Sequence, residues 1–170
     1  MTGSILYAET DGAFVLRLTG DVRCTLGPTI NKFLNDMVEC RDFQSVVIDL
    51  SSAENIDSTT LGILAKLALR CESQFSQQPT TVSPRPDITR VLTTMGLREL
   101  MVIVDSLDVT STTSGCVDVT VSEDVLRDQV IEAHRVLMSL NADNEDRFRD
   151  LVTALESEAA PSALSSGLGR

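Results

Sequence analysis

Residues 45–69, SVVIDLSSAENIDSTTLGILAKLAL, constrain the fold of this 170-residue chain more than any other stretch. SVVIDL is a nearly continuous apolar run, which is typical of a strand buried on both faces of a sheet. A polar loop follows, and DSTT then opens a helix, predicted from about Ser58 to Cys71, that has almost no polar face. A strand that leads through a polar loop into an apolar helix predicts a layered α/β domain.

The segments on either side of this unit repeat its alternation of strand and helix. AFVLRLTGD alternates in the manner of a strand, and it is predicted to pair with ILYAE as a hairpin through the turn sequence TDG. A helix is predicted to begin at Gly27-Pro28, where proline is tolerated in the first turn. Further along, we expect a short strand over 80–83, a helix in DITRVLTTMGLREL and a strand in MVIVDS.

The C-terminal part of the chain has a different composition. Residues 109–121 are irregular and rich in threonine, and a longer helix with an apolar row is predicted over 122–140. NADN breaks this helix, and Asn144 is expected to cap a last one, so that 122–157 form a helical hairpin. Two roles remain open for the hairpin: it covers one edge of the sheet, or it is a second partner surface. The small and polar residues of 158–170 predict a disordered tail.

The charge balance limits the classes of partner. The chain has 25 acidic and 14 basic residues and a formal net charge of -11. A protein without a basic patch cannot neutralise phosphates, so we expect no nucleic acid partner and no attraction to an anionic membrane surface. No apolar run approaches the length of a membrane span, and the N-terminus lacks the pattern of a secretory signal. The four cysteines form no CxxC pair, which favours idle thiols in a reducing cytoplasmic location.

The residue types that carry catalysis are scarce. His134 is the only histidine, and no second histidine or cysteine stands at ligand spacing, so we expect no metal site. A Ser-His-Asp triad would need His134 as its base, but a surface or helix-packing histidine is the favoured interpretation. No glycine-rich phosphate-binding loop is present. The sequence therefore predicts no cofactor and no enzymatic activity.

Three segments together resemble one family. VVIDLSSAENIDSTTLGILAKL resembles the strand, loop and helix signature of STAS domains, the module shared by anti-sigma factor antagonists and the cytoplasmic ends of sulfate transporters. VLRLTGDV is similar to the second strand and its Leu-x-Gly turn, and PDITRVLTTMGLREL is similar to the third helix. The resemblance covers about residues 5–108. It implies a STAS core over 1–108, with a four- to five-stranded mixed sheet and helices packed mainly on one face. The C-terminal helices of 122–157 are then the last STAS helix, over 122–140, plus a helical extension.

The resemblance also implies a function. Without a transmembrane part, the anti-sigma factor antagonist branch is favoured. In that branch, the serine after the aspartate is phosphorylated by a serine kinase, which is often the anti-sigma factor itself, and a PP2C-type phosphatase reverses the modification. That serine is Ser58 here. The unphosphorylated form sequesters the anti-sigma factor, and this partner switching regulates transcription. The C-terminal helices resemble those of a bacterial branch that controls motility and biofilm genes. The alternative is a STAS scaffold, or a soluble subunit of a transport assembly, that is not phosphorylated.

Two departures from the family pattern affect the predicted site. Glycine usually follows the Ser-Ser or Ser-Thr pair, but Thr60 stands there, so Thr59 and Thr60 are alternative phosphate acceptors. Arg23 stands where several members carry an acidic residue near the phosphosite. Either Asp21 supplies the acidic group near the phosphosite instead, or Arg23 pairs with the phosphate.

The partner surface is predicted from the helix that Ser58 opens. Its backbone N–H groups and its positive dipole end accommodate a phosphate. One face of this apolar helix packs on the sheet, and the remainder is expected to meet the partner. The simpler interpretation is that Asp57 or Ser58 is only an N-cap and that the helix is buried core. The predicted partner-binding residues are Asp21, Arg23, Asp57, Ser58, Thr59, Ile63, Lys66 and Leu67.

Overall fold

The computed structural model describes residues 1–108, 114–115 and 118–159. The chain begins with an antiparallel hairpin of β1 (Ser4–Thr10) and β2 (Ala13–Val22). Asp11 and Gly12 join the strands, and both have positive φ angles, of 50° and 86°. A two-residue turn of this kind matches the twist of the strands it connects, which confirms TDG as the hairpin turn.

Alternating helices and strands continue the sheet. They are α1 (Gly27–Glu39), β3 (Ser45–Asp49), β4 (Ala53–Ile56), α2 (Ser58–Phe75), β5 (Thr80–Val82), α3 (Pro86–Thr94) and β6 (Val102–Val104). β3 pairs in parallel with β2 and with β5, and β5 pairs in parallel with β6. β7 (Ser114–Gly115) adds to the outer edge of β1, so the strand order among the described residues is β6-β5-β3-β2-β1-β7.

The mixed sheet with helices mainly on one face is confirmed, and it has two strands more than the sequence suggested. β7 is one, and β4 is the other, which pairs in parallel with the end of β2. The sequence of β4 is AENI, whose residues have little strand propensity, so the pattern of the sequence did not mark it. β4 matters for the site because it runs directly into the start of α2.

The core lies between the sheet and the helices. Leu16 and Leu18 on β2 and Ile48 on β3 point toward this layer and are fully buried. Leu64 on α2 meets them in the same apolar cluster and is equally inaccessible. Large aliphatic side chains with no solvent exposure supply most of the burial energy of a domain of this size.

The C-terminal helices form a hairpin that lies on α2. They are α4 (Glu123–Leu140) and α5 (Ala142–Ala159), and they pack closely against each other. α4 packs along α2 and touches α1, so the hairpin forms a layer outside the core helices. Of the two roles left open for the hairpin, coverage of a sheet edge is contradicted, because α4 packs along α2.

Three boundaries of the C-terminal part differ from the prediction or fall outside the described residues. Glu158 and Ala159 continue α5, so they do not belong to a disordered tail, and residues 160–170 lie outside the described residues. Of the predicted irregular connection, 114–115 form β7, and 109–113 and 116–117 are likewise not described.

The cap of the last helix is also corrected. The Asn141 side-chain oxygen accepts from the backbone N–H of Asn144 at 2.8 Å, so the cap lies three residues earlier than predicted. Asn144 itself is almost completely buried. No helix in the described part of the chain combines the length and apolar character that a membrane span requires.

Candidate functional site

The site is built around the first turn of α2. Asp57 is its N-cap, and its Oδ1 accepts from the backbone N–H of Thr60 at 2.9 Å. Its other oxygen, Oδ2, accepts from the backbone N–H of Cys24 at 2.6 Å. One carboxylate therefore satisfies an N–H of the helix and ties the helix start to the segment that follows β2. The capping role given by the simpler interpretation belongs to Asp57.

Ser58 is the first residue of α2, and its hydroxyl meets a histidine from the C-terminal hairpin. Ser58 Oγ lies 2.9 Å from His134 Nε2. The other ring nitrogen, Nδ1, lies 2.7 Å from the carbonyl oxygen of Val130. A carbonyl oxygen only accepts, so in the neutral imidazole Nδ1 carries the proton and Nε2 accepts the hydrogen bond from the serine hydroxyl. The half-buried Ser58 is thus held by a residue far away in the sequence.

His134 is enclosed by the hairpin. Its exposed fraction is only 2%. Its ring meets the ring of Phe148 on α5 edge to face, with the centroids 5.0 Å apart. The packing role that the sequence favoured is confirmed, and the contact with Ser58 is the part that sequence reasoning missed. A burial signal was present, because His134 follows Ala133 in the apolar row of the helix, but no local pattern names a partner 76 positions away.

Two further contacts hold α4 on the same face of α2. A Cβ atom at Gly62 would lie 2.3 Å from the carbonyl oxygen of Ala133, so the two backbones approach as closely as glycine allows. One turn further along α2, Lys66 Nζ lies 3.1 Å from Glu132 Oε1. Ser58, Gly62 and Lys66 are spaced by four residues and share one face of the helix, which we call the α2 face.

Several predicted partner residues are not on the surface. Ile63 and Leu67 were expected to be exposed and apolar, but they are 2% and 0% exposed, so this expectation is wrong. Ile63 points toward the start of α1, where its Cδ1 atom lies beside Gly27. The proposed alternative acceptors, Thr59 and Thr60, are buried as well, with exposed fractions of 5% and 0%. Among the three hydroxyl residues, Ser58 is the one that solvent reaches.

The rim of the site carries a pair of opposite charges. Arg23 Nε donates to Asp21 Oδ2 at 2.6 Å, and Asn55 Nδ2 donates to Asp21 Oδ1 at 3.1 Å. These hydrogen bonds, that from Arg23 above all, hold the pKa of Asp21 below its ordinary value. The structure therefore places the predicted residues Asp21 and Arg23 next to each other. They stand beside the loop whose backbone binds Asp57.

The cysteines near the site have the character of structural thiols. Burial, followed by the nearby Asp57 carboxylate, raises the pKa of the Cys24 thiol. Burial raises the pKa of Cys71 to about 11. A thiol that remains protonated is a poor nucleophile, in agreement with the idle role expected from the sequence.

The residues that identify the family of the chain include this site. The model of the STAS domain matches residues 4–110, and the chain belongs to the STAS domain family. No curated protein sequence matches the chain. The match ends before α4, so the hairpin that supplies His134 lies beyond the matched residues.

Solved structures resemble about three fifths of the chain. An anti-sigma factor antagonist from Mycobacterium paratuberculosis is similar with a TM-score of 0.54 and 23% identity, over 63% of this chain and 89% of that one. The NMR structure of TM1081 has a TM-score of 0.52 and 23% identity, over 59% and 79%. The anti-sigma factor antagonist SpoIIAA in its unphosphorylated form has a TM-score of 0.50 and 16% identity, over 61% and 88%. At these identities the likeness establishes the fold.

Proposed function

We propose that this protein is a non-enzymatic anti-sigma factor antagonist whose binding to an anti-sigma factor is switched by phosphorylation of Ser58. The observation that carries the proposal is the position of Ser58. It is the first residue of α2, directly after the Asp57 cap, and it is half-buried where Thr59 and Thr60 are buried, in a chain of the STAS family. Two of the similar structures are those of anti-sigma factor antagonists, and the name of one distinguishes an unphosphorylated form.

The chemistry of the switch follows from the position of this hydroxyl. A serine kinase transfers the terminal phosphoryl group of ATP: the bond from Ser58 Oγ to phosphorus forms, the bond to ADP breaks, and the hydroxyl proton is lost. The product adds about -1.5 to -2 charge beside the Asp57 carboxylate. An anti-sigma factor that packs against a neutral hydroxyl would then meet a desolvated dianion, so the complex separates. A PP2C-type phosphatase restores the binding form.

A second function has one observation in its favour. The hydroxyl of Ser58 is already engaged by His134, which a kinase would have to displace. A STAS scaffold, or a subunit of a transport assembly, that is never phosphorylated would need no such displacement. The pair does not favour an enzyme, because His134 Nδ1 is held by the carbonyl of Val130 and not by a carboxylate.

Intact mass and peptide mapping of the protein purified from its native cells would test the proposal. We expect a species heavier by one phosphoryl group that maps to Ser58. It should be absent from Ser58→Ala and present in Ser52→Ala, a matched control in the exposed loop before β4. Phosphate on Thr59 or Thr60 would correct the site. An unmodified protein under several growth conditions, with Ser58→Ala behaving as wild type in sigma-dependent transcription, would favour the scaffold.

A further inference from the structure

The α2 face lies beneath the C-terminal hairpin, although the proposed function requires access to it. His134 Nε2 stands 2.9 Å from Ser58 Oγ, on the side to which the hydroxyl hydrogen points. A phosphoryl group brings a phosphorus atom and three oxygens to that position. There is no free space between α2 and α4 where Gly62 crosses Ala133, because even a methyl group at Gly62 would collide with the backbone of α4. A phosphate on Ser58 and the hairpin in its observed position therefore exclude each other.

The polar contacts between the hairpin and the α2 face are of a separable kind. They are a hydroxyl with an imidazole and an ion pair whose Glu132 side chain is 53% exposed, on either side of the close crossing of Gly62 and Ala133. Ala133 and Leu137 of α4 also join the core cluster, so opening the cover exposes some apolar surface as well. Each polar partner regains hydrogen bonds with water on separation, so its net loss is small. Within the hairpin, by contrast, Phe148 and Val152 of α5 are buried, and Arg135 of α4 binds Glu156. These contacts between α4 and α5 allow the two helices to move as one unit.

We propose that the α4–α5 hairpin is a cover for the α2 face, which must leave before Ser58 is phosphorylated and before the anti-sigma factor docks. Hairpin and partner then compete for the same surface, and a phosphate on Ser58 prevents the cover from closing again. This inference rests on the proposed function. It adds an internal competitor to the switch, supplied by a part of the chain beyond the residues that match the family model.

The only histidine of the chain makes the cover directly measurable. Diethyl pyrocarbonate acylates accessible imidazole nitrogens, and the reaction is followed by absorbance. In the untagged protein, the signal comes from His134 alone. With the cover closed, both ring nitrogens are hydrogen-bonded and the ring is buried, so we expect slow modification. The rate then reports the population of the open form.

Two variants should open the cover, and one is a matched control. Ala133→Leu places three more carbons against Gly62, and Ser58→Leu replaces the hydroxyl opposite His134 Nε2 with a larger side chain that cannot donate to it. Both should raise the modification rate by at least about tenfold, because local opening governs access. Ala154→Leu makes the same change at an exposed position of α5 and should react as wild type. Unchanged far-UV circular dichroism establishes that the core is folded. His134 protection equal to wild type in both opening variants would overturn the cover.

Phosphate occupancy of Ser58 in native cells separates the cover from the proposed function. If the cover limits access, Ala133→Leu carries more phosphate than wild type and Ala154→Leu carries the same amount. Equal occupancy in all three proteins would overturn the cover and leave the proposed function standing. Absence of phosphate from all three, including the opened variant, would overturn the proposed function, and with it the competition that the cover is proposed to impose.

Discussion

Helix α2 has two covered faces, and the contrast between them is the central feature of the molecule. Toward the sheet, Leu64 packs in a cluster of fully buried aliphatic side chains that includes Leu16 and Ile48. Toward α4, the contacts are those of Ser58 and Gly62 with the hairpin. The first interface buries large apolar groups, which is costly to undo. The second combines small and polar groups with the buried Ala133 and Leu137 of α4, so it is the more easily separated of the two.

The largest effect is expected in the core cluster to which the first interface belongs. Phe14 on β2 is 6% exposed and meets the rings of Phe33 and Phe43 at centroid distances of 5.8 and 6.1 Å. Phe14→Ala should lower the free energy of unfolding by about 3–5 kcal/mol. Urea unfolding followed by far-UV circular dichroism measures it, and Phe14→Leu should recover most of the loss. A cost below about 1 kcal/mol would contradict the placement of this ring in the core.

The next effect should fall on the hairpin and leave the core intact. Asn144 is 1% exposed, and its Nδ2 donates to the carbonyl oxygens of Met95 and Leu137, both at 2.8 Å. It thereby ties the end of α4 to the segment after α3. Asn144→Ala leaves two buried acceptors without donors, which should cost about 1–3 kcal/mol.

Hydrogen exchange followed by mass spectrometry gives the location of this loss. Exchange should accelerate in α4 and α5 after Asn144→Ala, while the amides of β2 and β3 keep their protection. Asn144→Asp tests the same point with a matched shape, since it removes the donors and adds a buried charge, and it should be at least as damaging. Equal acceleration in the sheet would mean that hairpin and core unfold as one unit, and the contrast between the two interfaces would not hold.

Local patterns explain how much of this architecture the sequence predicts. The alternation around Leu16 and the apolar run at Ile48 have the period of strands, and the turn and cap signals lie within a few residues of the elements they bound. Ser58 was placed correctly at the start of a helix for the same reason, since Asp57 marks the boundary locally.

The sequence does not show which element covers the side of α2 that faces away from the sheet. A helix that is apolar nearly all round must be covered on more than one side. The apolar pattern predicts that one side meets a partner protein through Ile63 and Leu67, but both residues are buried and α4 covers the α2 face. A helix of the same chain and a helix of a partner satisfy the same pattern. The pair of Ser58 and His134 depends on long-range packing, which residue spacing does not encode.

A smaller effect on stability is expected at Asp49, the last residue of β3, and this effect depends on pH. Asp49 accepts from Arg17 Nε at 2.8 Å and from the backbone and hydroxyl of Ser51 at 2.9 and 2.5 Å. Burial raises the pKa of Asp49, but these hydrogen bonds outweigh burial and hold the pKa below its ordinary value of 3.8. The carboxylate therefore adds stability above the ordinary pKa, and that contribution is lost as the pH falls through the lower pKa of the folded state.

Asp49→Asn tests this dependence, because asparagine has the shape of the protonated acid. At neutral pH the variant should be less stable by about 1–2 kcal/mol, since it keeps part of the hydrogen bonding. The difference from wild type should shrink as the pH falls below 3.8. Urea unfolding at a series of pH values measures it. A difference that does not change with pH would mean that the charge of Asp49 contributes nothing to the core.

The smallest effect should come from the ion pair between Lys66 of α2 and Glu132 of α4. The Lys66 side chain is 18% exposed and that of Glu132 is 53% exposed, so water and salt screen the interaction. Lys66→Met should cost about 0–1 kcal/mol, and should raise the rate of His134 modification by less than about fivefold. The charge-reversed pair, Lys66→Glu with Glu132→Lys, should close the cover again. If Lys66→Met opened the hairpin as far as Asn144→Ala does, the cover would be held by charge rather than by its buried amide. Salt would then control access to Ser58. The exposed ion pair would contribute more to closing the cover than the buried Asn144 amide, which is the opposite of what their burial predicts.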